Sequence, residues 1–184
     1  MRRIPTLPLA AAPLLAAVFL SACGGPHEIR YPQTRTVDCP RGHPQQILNR
    51  RNRDVLSVNF KPRSTGRAIE SARIRGNIRL TIHHRGCDKV QHTFVFEVKD
   101  RYKPLGLRSY WYGRAARLLE QVTPKSPSAD GLRVIAAKLK AASADPPPYG
   151  APMTMDDYQS LSLQMGEGEQ GRGTQLRIRY TLKI

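Results

Sequence analysis

Apolar side chains recur at every second position along several stretches of the chain, which predicts β-strands with one buried face. The clearest stretch runs from Ala72 to His83, where apolar residues alternate with Arg, Asn, Thr and His, and we predict one continuous strand there. Shorter stretches predict four more strands, over residues 55–60, 90–98, 161–165 and 176–184. A turn at Arg85-Gly86-Cys87-Asp88 is expected to fold two of these strands into a hairpin.

Between the strands, the spacing of apolar residues changes to that of an amphipathic helix. One helical face collects Leu107, Trp111, Ala115, Leu118, Leu119 and Val122, and Thr123-Pro124 is expected to end this helix. Asp130 is a candidate N-cap for a second helix. The apolar stripe of that helix comprises Leu132, Ile135, Ala136 and Leu139.

The order of these elements predicts an α+β fold, in which an antiparallel sheet of about five strands carries two helices packed on one face. The alternative is a β-sandwich with a helical insertion between residues 104 and 143. We expect a single domain over residues 54–184. Residues 23–53 show little periodicity and are interpreted as an extended lead-in to that domain.

The first 23 residues have the three zones of an export signal. Met1-Arg2-Arg3 is positively charged, residues 4–20 are largely apolar, and the segment ends in Leu20-Ser21-Ala22-Cys23. Three prolines interrupt the apolar zone, so it is a poor candidate for a permanent membrane-spanning helix, which needs about 20 apolar residues. The final four residues resemble the lipobox of bacterial lipoproteins at every position.

This resemblance implies that residues 1–22 are a cleaved signal peptide and that the Cys23 thiol takes a diacylglycerol. It also implies a freed amine on Cys23 that is open to a further acyl chain such as palmitate. Gly24 rather than Asp follows the cysteine, which in enterobacterial lipoproteins favours the outer membrane. We therefore expect a lipid-anchored protein at the outer membrane, facing the periplasm. An ordinary secretory signal cleaved after Ala22 is the alternative.

Two further cysteines, Cys39 and Cys87, remain in the mature chain. An even pair in an exported protein predicts a disulfide, because the compartment is oxidising. This bond would attach the lead-in to the turn that follows Ile82. Two free thiols are the alternative.

The chain is strongly basic, with 30 Lys and Arg against 14 Asp and Glu. The excess is concentrated between Arg30 and Arg117. A field of this sign attracts anionic partners, which in a bacterial envelope include anionic glycolipids, phospholipid headgroups and acidic envelope proteins. The alternative is that arginine serves only solubility.

Basic residues alternate with the apolar residues of the two most regular predicted strands, so they point away from the core. If those strands share a sheet, six cations line one open face, where arginine's fork of donors can hold phosphate groups. These anion-binding candidates are Arg73, Arg75, Arg79, Arg177, Arg179 and Lys183. The alternative is that the charges only keep the face soluble or protect a sheet edge.

Other groups of residues point less clearly to chemistry. His83, His84 and His92 lie in the predicted hairpin, but consecutive residues of a strand point to opposite faces, so we expect no metal site. The sequence has no recognisable catalytic motif or phosphate loop, and we expect no enzyme activity and no cofactor. Trp111 is expected in the core rather than at an interface.

These features together predict a non-enzymatic, membrane-anchored envelope lipoprotein that binds an anionic component through a basic surface. We expect no specific binding of nucleic acid. One alternative is an accessory or scaffold lipoprotein of an envelope assembly or secretion machine. Another is an enzyme with an unrecognised site. The sequence leaves the oligomeric state open.

Overall fold

The alternation in the sequence builds one antiparallel sheet with two helices. The computed structural model describes residues 44–87, 89–99, 104–123, 130–168 and 173–183, all within the compact unit Thr36–Ile184. The elements are β1 (Val55–Ser64), β2 (Arg67–Ile74), β3 (Ile78–Arg85), β4 (Lys89–Val98), α1 (Arg108–Val122), α2 (Asp130–Ala142), β5 (Met153–Thr154), β6 (Gln159–Glu167) and β7 (Thr174–Lys183). The seven strands lie in the order β1-β2-β3-β4-β7-β6-β5, and all neighbours are antiparallel.

The α+β class is confirmed, but the sheet has seven strands rather than about five. The stretch predicted as one strand over Ala72–His83 is in fact the hairpin of β2 and β3. Its turn uses Gly76 at a φ of +87° and Asn77 at a φ of +58°, a region that glycine and asparagine tolerate better than other residues. Ile74 pairs with Ile78 across the turn, so the alternation continues unbroken in the sequence and conceals the reversal.

The other additional strand is β5, which has two residues and is too short to show a period. It pairs Met153 with Leu161 at the edge of the sheet. The opposite edge also differs from the prediction, because β1 continues past Lys61-Pro62 to Ser64. Proline is tolerated there because an edge strand needs no hydrogen bond on its outer side, and the pairing is irregular between Pro62 and Ser64.

The core lies between the two helices and one face of the sheet, called here the covered face. Across β3, β4 and β7, its side chains align in rows, with Leu80, Phe96 and Leu176 in one row and Ile82, Phe94 and Ile178 in the next. These six side chains belong to the same buried cluster as the apolar faces of α1 and α2. Since all seven strands share one sheet, the described residues form no sandwich.

The predicted helices match α1 and α2, except that Leu107 precedes α1 and is exposed rather than buried. Trp111 is fully buried, and its indole Nε1 donates a hydrogen bond to the Pro104 carbonyl oxygen at 3.0 Å. At the end of α1, the Thr123 hydroxyl donates to the Leu119 carbonyl oxygen at 2.6 Å. Neither helix in the described ranges is long and apolar enough to cross a membrane.

Several predictions for the N-terminal part of the chain lie outside the described residues. These are the signal peptide over residues 1–22, the lipidation site Cys23, and Cys39 as the partner of Cys87. Lipidation and the Cys39–Cys87 disulfide therefore stay predictions.

The strand β7 is preceded by Gly173, which has a φ of +89°. A Cβ atom at this position would overlap the Val98 carbonyl oxygen. We expect Gly173→Ala to lower the free energy of unfolding by about 1–3 kcal/mol, because the substitution adds both backbone strain and a clash with main chain. Urea denaturation measures the change. The matched control is Gly131→Ala in α2, where a Cβ meets nothing within 4 Å and stability is expected to rise by up to about 1 kcal/mol. Equal stability of Gly173→Ala and the native chain would contradict the described turn.

Candidate anion-binding site

The face of the sheet that points away from the helices, called here the open face, is cationic. Among the described strand residues, Glu97 is the only acidic side chain that points to it. All the basic side chains on it are exposed, and they are Lys61, Arg67, Arg73, Arg79, Arg85, Lys89, Arg177, Arg179 and Lys183.

The six predicted cations are placed differently in the structure than the sequence pattern indicated. Arg177, Arg179 and Lys183 alternate along β7 as predicted. Arg73 and Arg79 lie directly opposite each other on β2 and β3, rather than along one strand.

Arg75 is not a strand residue, since it lies in the β2–β3 turn that the sequence analysis missed. Its Nε lies 3.2 Å from Asp54 Oδ1. Arg79 also has an acidic partner, because its guanidinium donates to Glu97 at 2.9 Å. Acidic side chains therefore offset part of the charge at this end of the open face, and the stronger cationic region lies farther along β3 and β7.

That region is centred on β4, which separates the cations of β3 from those of β7. In register, Thr93 lies between His83 and Arg179, and Gln91 lies between Arg85 and Thr181. Neighbouring strands are about 4.8 Å apart, so the cations on the two sides are attached about 10 Å from each other. We call this arrangement the β4 strip, comprising Gln91 and Thr93 with the flanking His83, Arg85, Arg177 and Arg179.

The β4 strip suits a phosphate group for two reasons. Arginine side chains from both flanking strands can reach an anion placed over β4, and they offer paired donors to its oxygens. The strip itself provides uncharged donors, since Gln91 and Thr93 are half-buried polar side chains. Gln91 Nε2 already donates to the Thr181 hydroxyl at 3.4 Å.

The open face also places basic residues directly opposite one another. Arg67 faces Arg85 across β2 and β3, and Lys89 faces Lys183 across β4 and β7. Like charges in directly opposed positions destabilise a sheet. A bound anion would offset this repulsion, and solubility alone does not require the charges to be paired in this way.

His83 reports the electrostatics of the strip. It is half-buried on the open face, where burial, followed by the positive charges of Arg85 and Arg177 and the neighbouring His84, lowers its pKa from the ordinary value of 6.5. These charge effects oppose a further positive charge at this place.

The three histidines singled out in the sequence divide between the two faces. His84 and His92 lie on the covered face, where Glu70 is fully buried beside them. One Glu70 carboxylate oxygen accepts the Leu48 backbone N–H at 2.8 Å, and the other accepts that of Ile47 at 3.0 Å. His84 Nε2 lies 3.2 Å from the second oxygen.

This buried cluster fixes the end of the predicted lead-in to the sheet. Leu48 belongs to the core, although it precedes the predicted domain boundary. Glu70 was missed because β2 was expected to start at Ala72. The signal for it was a carboxylate at an inward position of a strand, between Ala68 and Ala72.

His92 extends the cluster, with its ring centroid 5.1 Å from that of His84 and its plane stacked on Tyr180. Within the described part of the chain, the Nδ1 atoms of His84 and His92 are buried without a hydrogen-bond partner. Burial, and then the neighbouring His84, lowers the pKa of His92 to about 4.

Comparison with known proteins gives no relative for this chain, since no protein-family model, no curated protein and no solved structure matches it. The described residues contain no group of three or more His, Cys, Asp and Glu side chains that could hold a metal ion.

His92 is expected to make stability depend on pH. Its folded-state pKa of about 4 lies below the ordinary 6.5, so the unfolded chain binds more protons between these values. The contribution of neutral His92 to the free energy of unfolding is therefore fully present above about pH 6.5. We expect this free energy to fall by up to about 3 kcal/mol as the pH is lowered to about 4.

Urea denaturation at a series of pH values tests this effect. His92→Phe keeps an aromatic ring at this position and removes the titrating group, so its stability is expected to fall less over the same range. Identical pH profiles for the native and variant chains would show that His92 does not titrate as described.

Proposed function

We propose that this protein is a lipid-anchored lipoprotein of the bacterial envelope whose open face binds phosphate-bearing lipids. The observation that carries the proposal is the β4 strip, where polar side chains of β4 lie between cations of β3 and β7. The ligand class comprises anionic phospholipids and phosphorylated glycolipids such as lipopolysaccharide.

The shape of the open face favours a surface of headgroups over a single small molecule. Its cations extend over five adjacent strands, from Lys61 on β1 to Lys183 on β7, and their side chains are exposed. A basic residue near an anionic membrane contributes about 1 kcal/mol of binding energy. Several residues acting together on one exposed face therefore give substantial binding without a deep pocket.

The proposed lipid anchor supports the same function. The lipobox-like residues Leu20-Ser21-Ala22-Cys23 would place acyl chains in the membrane, and basic residues commonly act as a second membrane-binding signal beside an acyl chain. The anchor keeps the protein at a membrane at any salt concentration. The open face adds an electrostatic contact, which salt weakens.

The scaffold alternative would need an exposed apolar or aromatic surface for a protein partner. Trp111 and Tyr112 are both fully buried, so they offer no aromatic surface to a partner. A protein partner bound by the cationic open face would have to be acidic. Binding to lipid vesicles distinguishes the proposed lipid ligand from such a protein partner.

The test is binding of the mature chain with Cys23→Ser, which removes the lipid, to vesicles containing phosphatidylglycerol. Arg177→Ser with Arg179→Ser is expected to weaken binding by about 2 kcal/mol, or roughly thirtyfold, and to reduce its dependence on salt. The matched control is Arg117→Ser with Lys140→Ser, which removes the same charge from the exposed faces of α1 and α2.

The control is expected to bind like the parent chain, and vesicles of phosphatidylcholine alone should bind none of the proteins. Vesicles with lipopolysaccharide in place of phosphatidylglycerol distinguish the two sources of phosphate. The lipidated native protein should stay with membranes at high salt, whereas the Cys23→Ser chain should be released. An equal loss of binding in both double variants would contradict a site on the open face.

A further inference from the structure

The position of His83 adds a chemical property to the proposed site. It is the third of the four β3 residues on the open face, and it lies opposite Thr93 on β4 and Ile69 on β2. Directly opposed side chains on neighbouring strands have Cβ atoms about 5 Å apart. An anion seated over Thr93 therefore lies within reach of an imidazole N–H on one side and of the Arg179 guanidinium on the other.

We propose that binding of a phosphate group to the β4 strip is coupled to uptake of a proton by His83, so that mildly acidic conditions strengthen binding. The proposal rests on the proposed function, because it requires the open face to bind phosphate. His83 would then set the pH dependence of the affinity for phosphate-bearing lipids.

The surroundings of His83 explain why the proton and the anion bind together. The charged groups near it on the open face are cationic, namely Arg67 from β2, Arg85 from its own strand, and Arg177 and Arg179 from β7. From β4, the acidic Glu97 lies four residues farther along the sheet, opposite Arg79.

In the absence of an anion, partial burial, followed by the charges of Arg85 and Arg177 and the neighbouring His84, lowers the pKa of His83 below 6.5. A phosphate over the β4 strip brings negative charge to the same place and accepts a hydrogen bond from the protonated ring. Both effects favour the charged imidazole. By linkage, whatever raises the proton affinity of His83 on anion binding raises the anion affinity on acidification by the same factor.

The other two histidines of these strands lie on the covered face, on the opposite side of the sheet from the β4 strip. His84 lies beside Glu70 in the core, and burial, followed by the neighbouring His84, lowers the pKa of His92 to about 4. A change in anion affinity above about pH 5 that disappears with His83 therefore identifies that residue.

The experiment measures binding of the mature Cys23→Ser chain to phosphatidylglycerol vesicles at about pH 7.5 and about pH 5.5, on either side of an ordinary histidine pKa. The headgroup is a phosphodiester, which keeps one negative charge over this range, so the ligand itself does not titrate. We expect affinity to rise roughly three- to tenfold at the lower pH, because a bound anion raises the pKa of His83.

Two variants make the result specific. His83→Gln is expected to remove most of this rise, and His83→Lys, with a permanent charge, to bind with similar affinity at both pH values. The ring protons of His83, followed by NMR, should report a higher pKa with lipid than without it. An equal rise in affinity for the native residue and His83→Gln would overturn the inference while leaving the proposed function intact. A chain that binds these vesicles at neither pH would overturn both.

Discussion

The pairing of β4 with β3 on one side and β7 on the other is the constraint on which the described structure depends. Because side chains alternate between faces, this register places Phe94 and Phe96 in the core and Gln91 and Thr93 on the open face. A slip of one residue would exchange the two sets, burying polar groups and exposing aromatic rings. The apolar core and the cationic surface are therefore consequences of one hydrogen-bonding register, and the energy of the core holds the cations in place.

The covered face carries a second constraint, the buried carboxylate of Glu70. An ionised carboxylate is costly to bury unless its oxygens are hydrogen-bonded. Here the donors are the backbone N–H groups of Ile47 and Leu48, with His84 beside them. The segment leading into the domain is thus attached to the sheet through polar contacts as well as through Leu48.

The elements with a regular spacing of apolar residues were predicted from the sequence. The prediction was wrong where that spacing does not distinguish one strand from two. The helix around Trp111 and the alternating strand of Arg177 and Arg179 match α1 and β7. The β2–β3 turn was concealed because it returns the chain in the same alternation. For the candidate site, the strand pattern identified the cationic face. Beyond the predicted hairpin, which strands are neighbours is set by tertiary packing. Neither the pairing of β4 with β7 nor the Glu70 cluster was therefore predicted.

The two faces of the sheet thus separate stability from the proposed binding, since the covered face is filled by helices and the open face is left to its cations. The most direct measurement of this division is an NMR titration of the mature Cys23→Ser chain with a short-chain phosphatidylglycerol. We expect the side-chain N–H resonances of Arg85, Arg177 and Arg179 and the backbone amides of Gln91 and Thr93 to shift, with those of α1 and α2 unchanged. Shifts centred on the helices, or no shifts at all, would contradict a phosphate-binding site on the open face.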